Sequence, residues 1–382
     1  MAKGDRTFIG LYCGPSADGA DAAVVEIAGS GEAMSAKLGR FLHRPMPEEL
    51  RARVLSAASG WATAPAELAK LDREVGDFLA ATCEAALRKA RLLAKYVSGV
   101  GLMGHAAAYV EPTLSSGLGS TIELGSPATV ARGQNLPVVS GFAASDLAAG
   151  GVGGPVWAWP DWLLFHDGRL SRVVVQLGAI ASITFVPANA SARDVIAFDV
   201  GPGTSLVDGL ARQLYEREMD ADGTVASRGS LHLELLHELQ TAEFFHRDAP
   251  KRTHLSQWGN VVLQRLEMMA GKHRCPAADL MTTVTELTAR TIARDVLDQT
   301  ERPHEVILTG GGAKNIHLAS RIRTLLSPCS TYAAERYALD VRSHAAVCCA
   351  ILAAARMDGF AAHCCGASGA KGPVPLGALW MP

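Results

Sequence analysis

TFIGLYCGPSADGADAAVVEI, residues Thr7–Ile27, is the stretch of sequence that decides the fold. Apolar residues fill Thr7–Tyr12 and return in Ala20–Ile27, as expected for two buried strands. Between them lie glycine, proline, serine and aspartate, the residue types that favour tight turns. The stretch therefore predicts a β-hairpin with a glycine-containing turn near the start of the sequence.

The same design returns in Arg172–Pro187, RVVVQLGAIASITFVP, about 165 residues later. Further strands are predicted at Val195–Asp199 and Glu305–Leu308. Helices are predicted at Pro65–Ala94, at Asp279–Asp298 and at Asn315–Leu326, and another begins near Ser205. Asp279 is the predicted N-cap of its helix. Strands that alternate with helices indicate α/β layers. Two similar halves therefore predict two domains facing a cleft, with a boundary near residues 135–150.

Composition excludes several classes of protein. The 382 residues carry 36 Lys+Arg and 38 Asp+Glu, a net charge of −2, with 48% hydrophobic and 19% charged residues. This balance excludes a disordered chain and gives no reason to expect nucleic acid or an anionic membrane as a partner. The 8 cysteines without a secretory signal indicate a reduced cytoplasm, and the longest apolar stretch, Ala345–Ala355, is shorter than the ~20 residues that span a bilayer.

Three glycine-containing turns follow predicted strands, at Gly14–Gly19, Gly201–Gly203 and Gly310–Gly312. Glycine lets the backbone approach a ligand, and a turn that leads into a helix offers free N–H groups to a phosphate. Each turn alone is more often structural, but the three together favour a nucleotide cleft. The sequence lacks a P-loop string, and the G-x-G-x-x-G at Gly99–Gly104 is a chance match because no βαβ context surrounds it.

Carboxylates near these glycines are candidates for catalysis. Asp146 precedes the glycine-rich run Gly150–Pro155, which is a candidate hinge or site loop. Asp146 is either a turn or N-cap residue or a general base in a cleft. Asp18 and Asp21 are candidates to approach phosphates through Mg²⁺, and the alternative for Asp18 is that it shapes the Asp-Gly turn.

The C-terminal cysteines, with His344 and His363, raise the question of a metal site. Their adjacent pairs do not have the C-x₂-C spacing of zinc sites, and Cys348 and Cys349 lie in an alanine-rich apolar segment. We expect buried cysteines that act as small hydrophobic residues.

Several motifs together resemble the anhydro-N-acetylmuramic acid kinases, within the superfamily of sugar kinases, heat-shock ATPases and actin. The family's opening G-T-S-x-D-G-x-D is similar to Gly14–Asp21, with Pro15 in place of threonine. Its D-F-R-x-x-D-[IL]-A-A-G-G-Q-G-A-P is similar to Gly141–Pro155, N-I-G-G-I-A-N-I-T to Gln176–Thr184 and F-D-T-G-P-G-N to Phe198–Thr204. D-x-D-G-x-x-A is similar to Asp220–Ala226 and G-G-G-x-x-N to Gly310–Asn315, whereas P-K-S-T-G-R-E is matched only over its first four positions, by Pro250–Thr253. The motifs keep the family's order over nearly the whole sequence.

The resemblance implies two ribonuclease-H-like domains around an ATP and sugar cleft, over 1–135 with a C-terminal segment of about 355–382, and over 136–354. It implies ATP with Mg²⁺ as cofactor, phosphates on the hairpin turns and adenosine near Gly310–Gly312. The implied ATP-binding residues are Gly14, Pro15, Ser16, Ala17, Asp18, Gly19, Ala20, Asp21, Gly178, Gly201, Pro202, Gly203, Gly310, Gly311 and Gly312.

The resemblance also implies a reaction. Water attacks C1 of 1,6-anhydro-N-acetylmuramic acid while O6 takes the γ-phosphoryl group of ATP, giving N-acetylmuramic acid 6-phosphate and ADP in cell-wall sugar recycling. Asp146 aligns with the base that activates this water. The expected partners are therefore ATP and a small amino sugar. A homodimer is possible, but the sequence does not determine the oligomeric state.

Some positions depart from the family's pattern where ligand contacts are expected. In the string Gly141–Pro155, the family's aspartate and arginine are replaced by Gly141 and Ala143. The family's H-G-Q-T is replaced by Met103–Ala106, with His105 at the position of the glutamine. The two asparagines and one glycine of the second hairpin are replaced by Gln176, Ser182 and Ala179, and a glutamate is replaced by His344. Alternatives to the kinase therefore stay open: a nucleotide- or sugar-binding relative with impaired catalysis, a kinase of a different sugar, or a hydrolytic ATPase.

Overall fold

The computed structural model describes residues 5–60, 62–112, 117, 119–299 and 301–382. Its strands are β1 (Arg6–Tyr12), β2 (Gly19–Ala28), β3 (Ser35–Pro45), β4 (Val97–Met103), β5 (His105–Val110), β6 (Ser120–Leu124), β7 (Val138–Ser140), β8 (Arg172–Leu177), β9 (Ala181–Val186), β10 (Ile196–Gly201), β11 (Glu305–Thr309), β12 (Ser330–Ala333) and β13 (Ala378–Trp380). Its helices are α1 (Glu48–Ala58), α2 (Pro65–Ala90), α3 (Pro127–Gln134), α4 (Phe142–Ala148), α5 (Ala158–Phe165), α6 (Ser205–Tyr215), α7 (Leu233–Gln240), α8 (Asn260–Lys272), α9 (Ala277–Leu297), α10 (Ile316–Leu326), α11 (His344–Met357) and α12 (Cys365–Ser368). The predicted strands and helices are confirmed, with small shifts at their ends.

The first sheet has the strand order β13-β7-β4-β1-β2-β3. β1 pairs antiparallel with β2, so that Tyr12 faces Asp21 across the predicted hairpin turn. β4 lies parallel to β1 on the other side, and β7 lies parallel to β4. The polypeptide thus enters this half of the molecule through the hairpin that the sequence predicts.

The second sheet repeats this arrangement with the order β10-β9-β8-β11-β12. β8 and β9 form the second predicted hairpin, and β11 lies parallel to β8. In both sheets the first strand is central, a meander lies on one side and parallel strands lie on the other. This repeated topology confirms the predicted α/β fold with two ribonuclease-H-like halves.

Helix α11 packs against the first sheet through small residues. Its segment Ala345–Ala355 is buried throughout. An ideal Cβ on Gly10 of β1 would lie 1.6 Å from the carbonyl oxygen of Ala346, and one on Gly101 of β4 would lie 1.9 Å from that of Cys349. Only glycine permits such an approach between a strand and a helix.

This packing explains two sequence features. The G-x-G-x-x-G string Gly99–Gly104 runs through and just past strand β4, where glycines make room for α11, so its interpretation as a chance match is confirmed. Cys348 and Cys349 are each 0% exposed within α11. They are the buried small residues that their apolar surroundings predict.

Three elements beyond residue 135, namely β7, α11 and β13, belong to the first half. β7 pairs with β4, and α11 packs against β1 and β4. β13 pairs with β7 at the edge of the same sheet. The domain bounds drawn from the resemblance stay a prediction, whereas strand pairing places the polypeptide's crossing to the second half after β7.

One predicted cap is wrong. Helix α9 begins at Ala277 after Pro276, and Asp279 lies in its first turn, where a carboxylate oxygen accepts the backbone N–H of Ser230 at 2.8 Å. Proline favours a helix start because it sets φ and donates no hydrogen bond.

In the described ranges, no helix combines the length and the apolar character needed to cross a bilayer.

Candidate active site

The turns of the two halves meet at a cleft of about 260 Å³, which we call the first pocket. The predicted residues that line it are Gly14, Pro15, Ser16, Asp18, Gly19, Asp21, Gly178, Gly310, Gly311 and Gly312. They come from the β1–β2 turn, the β8–β9 turn and the segment after β11. The fold therefore joins turns that are distant in sequence.

The other predicted ATP-binding residues are not among the residues that line this pocket. Ala17 and Ala20 are each 0% exposed, and Gly201, Pro202 and Gly203 are buried as well. An ideal Cβ on Gly203 would lie 2.1 Å from the carbonyl oxygen of Gly178, so this turn supports the β8–β9 turn. Their predicted contact with ATP stays a prediction, and Thr204 and Ser205 reach the cleft in their place.

The start of α6 presents polar groups to the first pocket. Ser205, the first residue of this helix, lines the pocket, and its buried Oγ has no partner among the described residues. Opposite, Gly310 has φ +83°, and a Cβ there would lie 2.5 Å from the carbonyl oxygen of Leu177. A helix N-terminus, an unpaired hydroxyl and a backbone free of side chains suit a phosphate group.

Charged side chains lie beside the β1–β2 turn. Arg342 donates to Asp18 at 2.7 Å, and its Nε lies 3.5 Å from Asp21, which also contacts His43 at 2.8 Å. Burial pushes the pKa of Asp18 up, but the charge and hydrogen bond of Arg342, together with the Ser16 hydrogen bond and His43, hold that pKa below its usual value. Arg342 lines the pocket, so the cleft contains a cation that the sequence did not single out.

A second pocket of about 110 Å³ adjoins the first. Tyr12, Pro15, Gln176, Gly178 and Leu255 line both pockets. Gly153, Gly154 and Pro155 form part of its wall, which favours a site loop over a hinge, and we call the glycine-rich run Gly150–Pro155 the site loop. Asp199, Glu123 and Arg252 are its acidic and basic lining residues.

Asp199 is the buried carboxylate of the second pocket. It lies near the end of β10, where the pairing with β9 shifts register between Asp199 and Gly201. It is 8% exposed and accepts the backbone N–H of Thr253 at 2.9 Å. Burial raises the pKa of Asp199 to about 6, against the opposing effects of the Thr253 hydrogen bond and of Arg252. A carboxylate with a pKa near neutrality suits proton abstraction.

Asp146 lies in α4, behind the site loop. It is 1% exposed; its Oδ2 accepts the backbone N–H of Gly153 at 2.6 Å, and its Oδ1 lies 2.6 Å from His363 Nε2. Burial pushes the pKa of Asp146 up, but hydrogen bonds from His363, Ser368 and Gly153 bring it below its usual value. Asp146 thus holds the site loop in place, and it is not among the residues that line either pocket.

A buried hydrogen-bond chain leads from Asp161 to the cleft. His344 Nε2 lies 2.5 Å from Asp161 Oδ1 and 3.5 Å from Cys348 Sγ, and its Nδ1 lies 3.1 Å from Gln176 Oε1. Thr309 donates to the same Gln176 oxygen at 2.5 Å. With this oxygen occupied, the Gln176 amide nitrogen is the group that it offers to a ligand.

Asp161, His344 and Cys348 also satisfy the donor spacing of a metal site. Each is fully buried, and the hydrogen bonds of His344 account for both of its ring nitrogens. Burial raises the pKa of Cys348 well above its usual value, which opposes the thiolate that a metal needs. The group therefore acts as a support for Gln176.

Sequence reasoning did not single out Asp199, Arg252 or Arg342 as site residues. Asp199 stands in the quoted string Phe198–Thr204, next to the turn that was singled out. A signal for it was available, because a carboxylate at the end of a strand beside a glycine turn is placed at a cleft. Arg252 stands in the quoted string Pro250–Thr253, where the family's pattern has a serine, and Arg342 lies outside every quoted string. The fold brings both to the pockets.

Comparison with known proteins places the polypeptide beside a group of bacterial enzymes. The sequence model of the anhydro-N-acetylmuramic acid kinase family matches residues 6–382. The anhydro-N-acetylmuramic acid kinase of Salinibacter ruber is 32% identical over 99% of this chain and 96% of its own length, and that of Gloeobacter violaceus is 33% identical over 97% of each. These relatives match the sequence nearly end to end.

The similar solved structures are more distant in sequence. Component A of (R)-2-hydroxyglutaryl-CoA dehydratase from Acidaminococcus fermentans has a TM-score of 0.46 at 10% identity, over 91% of this chain and 96% of that chain. A ROK family glucokinase from Streptomyces griseus, in complex with glucose and AMPPNP, has a TM-score of 0.37 at 13% identity, over 91% of this chain and 98% of that chain.

Proposed function

The chain belongs to the anhydro-N-acetylmuramic acid kinase family, and we propose that its two adjoining pockets hold ATP and the anhydro sugar for this reaction. The enzyme is an ATP-dependent sugar kinase that uses 1,6-anhydro-N-acetylmuramic acid, ATP and water and releases N-acetylmuramic acid 6-phosphate and ADP. The end-to-end match to kinases favours this activity over a binding protein that has lost catalysis.

Two atoms of the sugar, C1 and O6, exchange their bonding partners. Water forms a bond to C1 and loses a proton to a base, the C1–O6 bond of the anhydro bridge breaks, and O6 forms a bond to the γ-phosphorus of ATP as ADP leaves. The protein's contribution is to orient these groups and to stabilise charge. A buried carboxylate with a raised pKa is the group that accepts the proton of the water.

The position of Asp199 carries the proposal. Asp199 lines the second pocket, which shares Pro15 and Gly178 of the hairpin turns with the first pocket. A sugar bound in the second pocket would therefore contact this carboxylate in a pocket that adjoins the proposed ATP site. Asp146 stays a predicted base, but its burial behind the site loop favours Asp199 for proton abstraction and Asp146 for positioning the loop.

We propose the first pocket as the ATP site, with Mg²⁺ bound along with the nucleotide. Asp18 and Asp21 line this pocket and offer the carboxylate oxygens that Mg²⁺ uses beside phosphate oxygens. Bound Mg²⁺ would neutralise phosphate charge. Asp18 and Asp21 both face Arg342, so this side of the cleft carries two carboxylates and one cation, and Mg²⁺ held by the carboxylates would supply the positive charge that the phosphates need.

Turnover of the anhydro sugar tests the function directly. The protein is incubated with ATP, Mg²⁺ and 1,6-anhydro-N-acetylmuramic acid, and the product is analysed by mass spectrometry. We expect a sugar that has gained one water and one phosphoryl group, with one ADP formed for each product. ADP release without a sugar product would indicate a hydrolytic ATPase and contradict the proposal.

We further propose the cytoplasm as the place of action. All eight cysteines are free thiols in the structure, as expected in a reduced compartment. The substrates, ATP and the anhydro sugar, are both small molecules.

The assembly state is measured by light scattering in solution, where a homodimer would have twice the mass of 40.1 kDa.

A further inference from the structure

Arg252 is a partly buried cation in the wall of the second pocket. Its guanidinium donates to the carbonyl oxygen of Gly153, and its Cζ lies 4.6 Å from the ring centroid of Tyr109. Over the described ranges, no carboxylate lies within ion-pair distance of Arg252. Arg342 and Arg247, by contrast, pair with Asp18 and Glu111.

The backbone holds Arg252 in a defined position relative to the base. The N–H of Asp199 donates to the carbonyl oxygen of Lys251 at 3.1 Å, and the carboxylate of Asp199 accepts the N–H of Thr253 at 2.9 Å. Lys251 and Thr253 are buried at 3% and 4% exposure. The residue between them therefore projects its side chain into the pocket from a segment that is fixed on both sides.

The other charges of the pocket are negative. Asp199 and Glu123 line it, and burial raises the pKa of Glu123 to about 7. An anionic ligand would meet repulsion from these carboxylates unless a cation faced it. Arg252 is the lining residue that supplies this cation.

The proposed substrate has one ionised group, the carboxylate of its lactyl substituent. In the family's pattern an arginine stands at position 143, but here Ala143 is 0% exposed within α4. We propose that Arg252 binds the lactyl carboxylate and thereby selects muramic acid derivatives over sugars without this group. The planar guanidinium suits a carboxylate because it donates two parallel hydrogen bonds. This inference rests on the proposed function, whose substrate it makes more specific.

The test compares Arg252→Ala and Arg252→Lys with the unchanged enzyme on two sugars, 1,6-anhydro-N-acetylmuramic acid and 1,6-anhydro-N-acetylglucosamine. We expect Arg252→Ala to raise KM for the first sugar about 10- to 100-fold, to lower kcat/KM for the second sugar much less, and thus to abolish the preference. Arg252→Lys should recover part of it. Arg247→Ala, which removes a cation outside this pocket, is the control and should leave the preference intact.

Three outcomes would overturn the inference: an equal loss on both sugars, a preference retained in Arg252→Ala, or the same loss in Arg247→Ala. Thermal unfolding of each variant shows that it is folded. If the unchanged protein turns over neither sugar, the proposed function fails but the inference is still tested. Calorimetric binding of N-acetylmuramic acid against N-acetylglucosamine should then show a preference that Arg252→Ala removes, and equal binding by the unchanged protein would overturn the inference.

Discussion

The charged residues of the cleft differ according to what surrounds each of them. Asp199 has one backbone donor and a raised pKa. Asp146 has an imidazole and a backbone N–H, and its pKa is lowered. The same functional group is therefore poised to take a proton at one position and held as a structural anion at the other.

Asp199→Asn should abolish turnover and spare the fold. We expect kcat to fall about 100- to 10,000-fold, the range that a general base contributes. An amide oxygen can still accept the N–H of Thr253, and the variant no longer buries a charge, so the melting temperature should stay the same or rise. Rate assays with calorimetric melting measure both. Wild-type activity would contradict the assignment.

The pH dependence follows from the raised pKa of Asp199. Only the ionised carboxylate accepts a proton, so kcat should fall as pH decreases through about 6. The free energy of unfolding depends on pH in the opposite direction. A raised pKa in the folded state means that the contribution of Asp199 to stability is fully present below its ordinary value and is lost as pH rises through about 6. In Asp199→Asn this dependence of the melting temperature on pH should disappear.

Asp146→Asn should give the reverse pattern. Loss of the charge that His363 contacts should lower the free energy of unfolding by about 1–3 kcal/mol, as measured by denaturant titration at neutral pH. Turnover should fall less than in Asp199→Asn, and ATP binding should remain. Stability equal to that of the unchanged protein, together with loss of turnover as large as in Asp199→Asn, would instead identify Asp146 as the base.

At the scale of elements, small residues decide how closely helices and strands approach. Gly10 and Gly101 bring β1 and β4 against the backbone of α11. The N-terminal residue of α11 is His344, which contacts Gln176 in the cleft. The close packing of this helix therefore also positions a residue of the active site.

Gly101→Ala tests this packing. The added Cβ would lie 1.9 Å from the carbonyl oxygen of Cys349, so the helix must move, at a cost of about 1–3 kcal/mol of stability. Gly133→Ala is the matched control, because Gly133 is exposed on α3 and a Cβ there would lie at an ordinary contact distance of 3.6 Å from the Cβ of Ala80. The control should be neutral or gain up to about 1 kcal/mol. Equal melting temperatures for the two variants would show that α11 has room.

At the scale of the whole molecule, two similar halves build one cleft. The first pocket takes residues from the β1–β2 turn of the first half and from Gly310–Gly312 of the second. A nucleotide bound there contacts both halves. Binding should therefore stabilise the molecule as a whole, by about 2.7 kcal/mol at a ligand concentration 100 times Kd.

ATP with Mg²⁺ should raise the melting temperature, and Ser205→Ala should reduce this shift. Ser205 Oγ is buried without a partner among the described residues, so its removal leaves no donor or acceptor unpaired. The variant without nucleotide should melt at the temperature of the unchanged protein or slightly above it. An undiminished shift with ATP would show that this hydroxyl does not contact the phosphates.

The sequence alone predicted both hairpins, the glycine turns of the cleft, and the buried cysteines of α11. Each depends on residues that are neighbours along the sequence, because strand alternation and turn chemistry act over a few positions. The resemblance to one family supplied the reaction. The predicted base Asp146 was drawn from alignment with a motif, which carries no information about which side chains face a cavity.

Only the tertiary structure decided which charges face the ligands. It brought Arg342 to Asp18 and Arg252 to the pocket of Asp199, across 324 residues in the first case. It placed β7 and α11 with the first sheet, although both follow the predicted boundary. The physical reason is that burial, pKa and ion pairing depend on what is close in space, and a sequence specifies only what is close along the chain.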